Sequence, residues 1–365
     1  MADVGHGLCL GILTLEDSVI VVDCGDSSDG KEAADGFIRI ANEFGNPNAF
    51  ILSHYHADHY RGLCHPSLRN HPPKFPVQDV YYPILPKFPS GKQALRREFG
   101  LAIMALNRLM LGDRTGSVQY DLLDAVREIS SSKLSKHPLV KGSHIKLGSS
   151  DFEVVWPPSL LDDGWALRKV TRAVEDFRRA LESDPRLQDI YASVNREGEF
   201  EDTFGGTFDE GHPSDNQRAQ ASSVSTEGKL PPLVRKANES LKNAANHISL
   251  AFCEDNRLLF MGDLERPEIK RVVADLVNHG GDFFEVFVSP HHGTHWHNNL
   301  SKLHFMYSLT SNGKDDSLSN VERYKLISRK PLSTWVNGNI IASTGYRGVW
   351  PIRSLYDYER VLDAI

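Results

Sequence analysis

Cysteine is scarce in this 365-residue chain, and the four present, Cys9, Cys24, Cys64 and Cys253, lie far apart with no Cys-x-x-Cys pair. That spacing excludes a dense disulfide framework and a zinc knuckle, and reads the four as small buried apolar residues. Long apolar runs are missing too. The longest, such as Ser18 to Val22 and Asp282 to Val288, fall far short of the roughly 20 residues a membrane-spanning helix needs, so no membrane span is expected. The N-terminus, Met-Ala-Asp-Val-Gly-His-Gly, lacks the basic and apolar regions of a secretory signal, and the expected location is cytoplasmic. No Gly-x-Ser-x-Gly elbow seats a serine nucleophile, and no internal repeat recurs at a fixed period. Charge does not lean far to one sign: 41 Lys and Arg against 48 Asp and Glu leave −7. A surface built wholly for nucleic acid is thereby disfavoured, while a local basic groove stays open.

What is present is the composition of an ordinary folded protein, 40% hydrophobic and 24% charged, long enough for one large domain or two. Two β-rich stretches around Glu16-Asp17-Ser18 read as a hairpin from Leu8 to Asp23. Residues 31 to 44 place Ala33, Phe37, Ile40, Ala41 and Phe44 at helical spacing, and an apolar strand from Asn48 to Ser53 then breaks off into a run of histidines. Two helical patterns follow between Gln93 and Ser130, strands from Ser143 to Trp156 stopped by Pro157-Pro158, and a charged helix over 163 to 183. Residues 196 to 232 are rich in Gly, Ser, Asp, Glu and Gln and read as a mobile loop. Strands return at 248–252, 258–261, 284–289, 304–310 and 339–343, with a helix at 267–279. The expectation is a single domain over 1–365 with a helical insertion at 70–140 and a second insertion at 160–240, a helix followed by that loop.

The chemistry concentrates at three strand ends. His54-x-His56-x-Asp58-His59 puts four potential ligands in six residues, Gly262-Asp263 follows Leu258 to Met261, and His291-His292-Gly293 follows Val286 to Ser289. Imidazole and carboxylate suit zinc or a similar first-row divalent ion, and this density makes solvated surface histidines a poor explanation.

These motifs resemble the metallo-β-lactamase superfamily, and within it the hydrolase domain of ComEC-type DNA-uptake proteins. Asp3-Val4-Gly5-His6-Gly7, Val22-Asp23-Cys24-Gly25, the His54-to-His59 run, Asn246-His247-x-Ser249, Gly262-Asp263 and His291-His292-Gly293-Thr294 occur in that branch's order, and the tail from Phe305 to Gly348 is similar to its final strands. The membrane channel of an uptake protein is not part of the likeness, so DNA uptake does not follow from it. The resemblance implies an α/β (α+β) αββα sandwich with two divalent ions, Zn²⁺ or Mn²⁺ with iron as a further option. His54 and His56 would bind the first ion, Asp58 and His59 the second, and Asp263 both. His292 would complete the second, with His291 left to contact a substrate phosphate. His247 would complete the first, or else is a hydrogen-bonding histidine that opens a strand. Asp23 would hold a ligand histidine in its tautomer. Asp3 and His6 would act similarly, unless Asp3 caps the turn at Gly5 and Gly7.

Such a site would hydrolyse through a metal-activated hydroxide, with Asp58 at the ions and His291, His295 or His297 as acid for the leaving group, His297 reading better as a solvated side chain. The leading expectation is a phosphodiesterase or nuclease acting on a phosphodiester, nucleic acid or cyclic nucleotide. Arg96, Arg97, Arg168, Lys169, Arg172, Arg178 and Arg179 are possible anion contacts, although their alternation with Glu175 and Asp176 fits a solvated helix face somewhat better. The alternatives are a hydrolase of lactones, thioesters or small phosphoesters, and a regulated effector of a defence or signalling system with a protein partner encoded nearby.

Overall fold

A computed structural model describes residues 1–115, 122–162, 164–196, 230–313, 321–342 and 344. Most of the loop expected at 196 to 232, and residues 314–320, 343 and 345–348 of the tail, lie outside these residues. The chain divides into two compact units, Met1–Pro83 with Val126–Pro158 and Asn246–Ile365, and Ile84–Ala125 with Ser159–Ala245.

The first unit holds two sheets. One has the order β1 (Gly7–Leu13), β2 (Val19–Asp26), β3 (Pro47–Ile51), β4 (Asp79–Pro83), β5 (Ser135–Leu139). The other runs from edge to edge as β12 (Ser328–Ser333), β11 (His304–Thr310), β10 (Phe283–Val288), β9 (Leu258–Phe260), β8 (Ala251–Glu254), β7 (Ser150–Trp156) and β6 (His144–Leu147). Helix α1 (Lys31–Phe44) precedes β3, single-turn helices α2 (Ala57–Tyr60) and α3 (Pro66–Arg69) follow it, and α4 (Gln93–Thr115) and α5 (Leu122–Ile129) come after β4. Next in the chain are α6 (Gly164–Ser183), α7 (Pro185–Arg196), α8 (Pro232–Ala245) and α9 (Arg266–Asn278), then two short helices, α10 (Val321–Tyr324) and α11 (Thr334–Asn337).

The pleat explains the layering. In β9, Leu258 and Phe260 enter a core shared with Leu10, Ile20, Val22 and Ile51 of the other sheet, while Leu259 between them points the opposite way. Val286 and Val288 of β10 do the same around Phe287. The outward residues Leu259 and Phe287 join Ile269, Val272 and Val273 of α9 in a second core. On the far side of the first sheet α1 packs its apolar stripe, with Ile40 so close to Gly11 that a Cβ there would lie 2.7 Å from it. Helix, sheet, sheet and helix are thus stacked in that order. β2 is buried along its whole length, which is why its sequence shows a continuous apolar run and no alternation.

The second unit is helical. α6 buries Val170, Val174 and Phe177, and α8 buries Val234, Ala237 and Leu241. Asp176 is buried in α6 and receives the Ser240 hydroxyl at 2.7 Å, with Lys236 Nζ at 3.0 Å.

Three strands, β4, β5 and β12, and the helices α7 and α8 have no counterpart in the sequence expectations. β5 and β12 are edge strands carrying Pro138 and Pro331, where a missing backbone donor is tolerated but the strand signature is lost. Where a strand was expected at 339–343, the described residues 339–342 form no strand, and Ile340 is tied to Met1 by two hydrogen bonds, its N–H donating to the Met1 carbonyl at 2.9 Å and the Met1 ammonium to its carbonyl at 2.6 Å. No helix among the described residues is long and apolar enough to cross a membrane.

Candidate metal centre

Strand pairing brings the three ligand-bearing segments together. β9 and β10 run parallel with Phe260 opposite Val288, so Asp263 and the His291-His292 pair leave the sheet at one edge, and the His291 N–H donates to the Gly262 carbonyl at 2.9 Å. β3 belongs to the other sheet, but its extension reaches across: the Leu250 N–H donates to the Ser53 carbonyl at 2.6 Å, immediately before His54. Gly262 has a positive φ of 41°, and a Cβ there would sit 2.3 Å from Ser249 Oγ. That close approach lets Ser249 Oγ accept the Asp263 N–H at 2.8 Å and fixes where the carboxylate points.

Asp263 Oδ2 sits amid four imidazole Nε2 atoms: His59 at 3.5 Å, His54 and His292 at 3.7 Å, and His291 at 4.0 Å. Two ligand atoms each about 2.0–2.2 Å from a tetrahedral ion stand roughly 3.3–3.6 Å apart: the His59 gap falls in that range, the His54 and His292 gaps lie just beyond it, and these three with the 4.0 Å to His291 are long for direct hydrogen bonds. The His54, His59 and Asp263 donor atoms lie within 4.8 Å of one another and all three residues are buried. His59 Nε2 is buried with no hydrogen-bond partner, a costly arrangement that a bound ion removes. Beside Asp263 and His292 there is a space of about 10 Å³, bounded by Gly262, Ser289 and Ser311, close to the room of a single water or ion. A larger cavity of about 350 Å³, lined by Leu10, Phe152, Val286 and Ile340, contains none of these ligands.

The groups behind the ring nitrogens set their tautomers. Asp23 accepts the Ser53 N–H at 2.7 Å and the Ser53 hydroxyl at 2.6 Å. With that hydroxyl proton committed, His54 Nδ1, 3.0 Å from Ser53 Oγ, is the donor, and its Nε2 lone pair faces Asp263. His59 Nδ1 donates to Asp23 Oδ2 at 2.8 Å and His292 Nδ1 to the Ser311 carbonyl at 3.1 Å, so their Nε2 atoms are aimed the same way. Asp23, His291 and His292 have φ of 56°, 48° and 53°, left-handed conformations that cost energy for residues other than glycine and collect at functional sites.

Electrostatics separates the two innermost histidines. Burial, with His59 and His56 adding repulsion, holds His54 well below the ordinary imidazole value. Burial lowers His59 as well, but the carboxylates of Asp263 and Asp23 outweigh it and raise it well above that value. Asp263 is desolvated, yet the surrounding imidazoles hold it well below the usual carboxylate range.

The remaining sequence candidates are spread around this cluster. His56 Nδ1 lies 2.8 Å from His54 Nε2. Asp58 opens α2, half-buried, outside the tight ligand groups. Its carbonyl lies where a Cβ on Gly25 would come within 1.9 Å of it, so Val22-Asp23-Cys24-Gly25 needs its glycine for close approach. His247 is buried with Nδ1 2.9 Å from Glu268 Oε1, an ion-pair distance but too misaligned to be a hydrogen bond. Asp3 is exposed and its Oδ1 accepts the Gly5 N–H at 3.3 Å, the turn-capping arrangement. The His6 ring lies against Gly313, where a Cβ would come within 2.7 Å. His295 groups with Glu265 and His291. Sequence reasoning gave no role to Ser53, Glu265, Glu268 or Ser311. Of these Ser53, directly before His54, and Glu265, two residues after Asp263, stand beside a motif, but neither type of residue signals a role at that place.

No family model and no curated protein matches the sequence. Among solved structures the chain is similar to a metallo-beta-lactamase family protein from Thermus thermophilus, with 16% sequence identity and a TM-score of 0.20. The alignment covers 41% of this chain and 50% of that one, so the chain spans half the length of the protein it matches. With so slight a likeness, what the site can do follows from its own side chains.

Proposed function

We propose that this chain is a metal-dependent hydrolase acting on phosphodiesters, with two divalent ions held by the His54-to-His59 segment, Asp263 and His292. The observation that carries it is the single carboxylate oxygen of Asp263 surrounded by four imidazole nitrogens within 4.0 Å. In this proposal His54, His56 and His247 hold the first ion, Asp58, His59 and His292 the second, and Asp263 both. Zn²⁺ and Mn²⁺ both fit imidazole and carboxylate donors. Divalent ions in such a site bring the pKa of a coordinated water toward neutrality and offset charge on a phosphoryl oxygen. Asp23 and Ser53 keep the His54 and His59 rings in their metal-facing tautomers, and burial keeps bulk water from the donors. His291 and His295 stand on the more open side, facing the position of an incoming ester.

One observation favours a small ester over a long polyanion. Arg178 is paired with Glu98, Arg179 with Asp176, and Arg96 with the Leu85 and Pro86 carbonyls, so three cations of the proposed groove are engaged within the chain. The substrate class is tested by incubating protein loaded with Mn²⁺ or Zn²⁺ with bis-p-nitrophenyl phosphate, cyclic dinucleotides, single- and double-stranded DNA, RNA and a lactone. Cleavage of at least one phosphodiester is expected. Turnover of the lactone with every phosphodiester intact overturns the substrate assignment.

A further inference from the structure

Beside the Asp263 cluster lies a shallower one. The donor atoms of Glu265, His291 and His295 are within 4.8 Å of one another. The His54 and His59 side chains are fully buried and Asp263 is 8% exposed, whereas His291, Glu265 and His295 are 28%, 23% and 18% exposed and open to an entering ion.

Two of the three members are held from behind, as metal ligands are. His295 Nδ1 donates to the Leu264 carbonyl at 3.0 Å, which leaves its Nε2 with a lone pair. Asn246 Nδ2 donates to Glu265 Oε1 at 3.1 Å, which fixes that oxygen and leaves Oε2 to face an ion. The His291 and His295 rings meet with centroids 4.0 Å apart. Glu265 Oε2 stays 3.7 Å from His295 Nδ1, beyond hydrogen-bond range, so carboxylate and imidazole are neighbours that have not spent themselves on each other. Two imidazoles and one carboxylate suit first-row divalent ions, and three protein ligands leave coordination positions open.

We propose that Glu265, His291 and His295 bind a divalent cation of their own, distinct from the ions at Asp263, with open positions that take an anionic oxygen of a ligand. His292, whose ring is aimed by the Ser311 carbonyl, then serves the Asp263 cluster, and His291 the shallow site. The proposal goes beyond the hydrolase reading, and the two fail separately.

The test is metal stoichiometry and affinity, read by titrating metal-free protein with Zn²⁺ against a chromophoric chelator and confirmed by the visible spectrum of the Co²⁺-loaded protein. Glu265→Gln and His295→Gln are each expected to bind one ion fewer than wild type, losing the weaker class and its share of the Co²⁺ absorbance while keeping the tighter ions. Wild-type counts and affinities in both variants overturn the proposal. Asp263→Asn, run alongside, reports on the deep cluster: if it keeps every ion, the hydrolase reading fails whatever the other two variants do.

Discussion

Asp23 orients His59 directly and His54 through Ser53, so one carboxylate governs both deepest rings. Asp23→Asn is expected to weaken metal binding by roughly 10–100-fold, the usual cost of losing such a partner, measurable by chelator competition. The His59 shift has a further consequence. Its value is raised, so in metal-free protein its favourable pairing is fully present below the ordinary imidazole value and is lost as pH rises through the elevated one. Asp263 is depressed, so its contribution is present above the ordinary carboxylate value and is lost as pH falls through the lowered one. An ion must displace the His59 proton. Calorimetric titration at neutral pH in buffers of different ionisation enthalpy is therefore expected to show proton release on binding, and Asp23→Asn to show less. Gly25→Ala would drive a Cβ into the Asp58 carbonyl and displace the start of α2, so metal affinity is expected to fall sharply even if the chain folds. The His-x-His-x-Asp-His run was legible because histidine is rare and its density unusual. Ser53 and Ser249 were not, because serine is common, and Ser53 meets Asp23, 30 positions away, only once the sheet has formed.

At the level of elements, the strands visible in the sequence are those whose burial imprints a pattern: β2 as a continuous apolar run, β9 and β10 as apolar segments stopped by Gly-Asp or Pro-His-His. β5 and β12 escaped because proline and charge mark them as edges, and α8 because it follows a polar, glycine-rich stretch whose character masked its own apolar spacing. The strand that matters most to the site is β9, whose end places Asp263. Phe260→Ala, at a fully buried position in the core between the sheets, is expected to cost about 3–5 kcal/mol of stability, read by denaturant unfolding. A cost below about 1 kcal/mol would contradict the packing described.

The whole molecule couples metal to stability. The donors come from segments distant in the chain, around residues 54–59, 263 and 291–292, which meet only when both sheets have formed, so an ion binds the folded state and not the unfolded one. At free metal a hundred times the dissociation constant the gain is about 2.7 kcal/mol, which for a chain of this size raises the melting temperature by roughly 3–5 °C. Chelation is expected to remove that increment. The most direct test compares bound metal and bis-p-nitrophenyl phosphate hydrolysis in wild type and Asp263→Ala, both shown folded by circular dichroism. Loss of metal together with turnover in the variant is the predicted result, and a variant that keeps the wild-type metal content would contradict the assignment of Asp263 as the centre of the site.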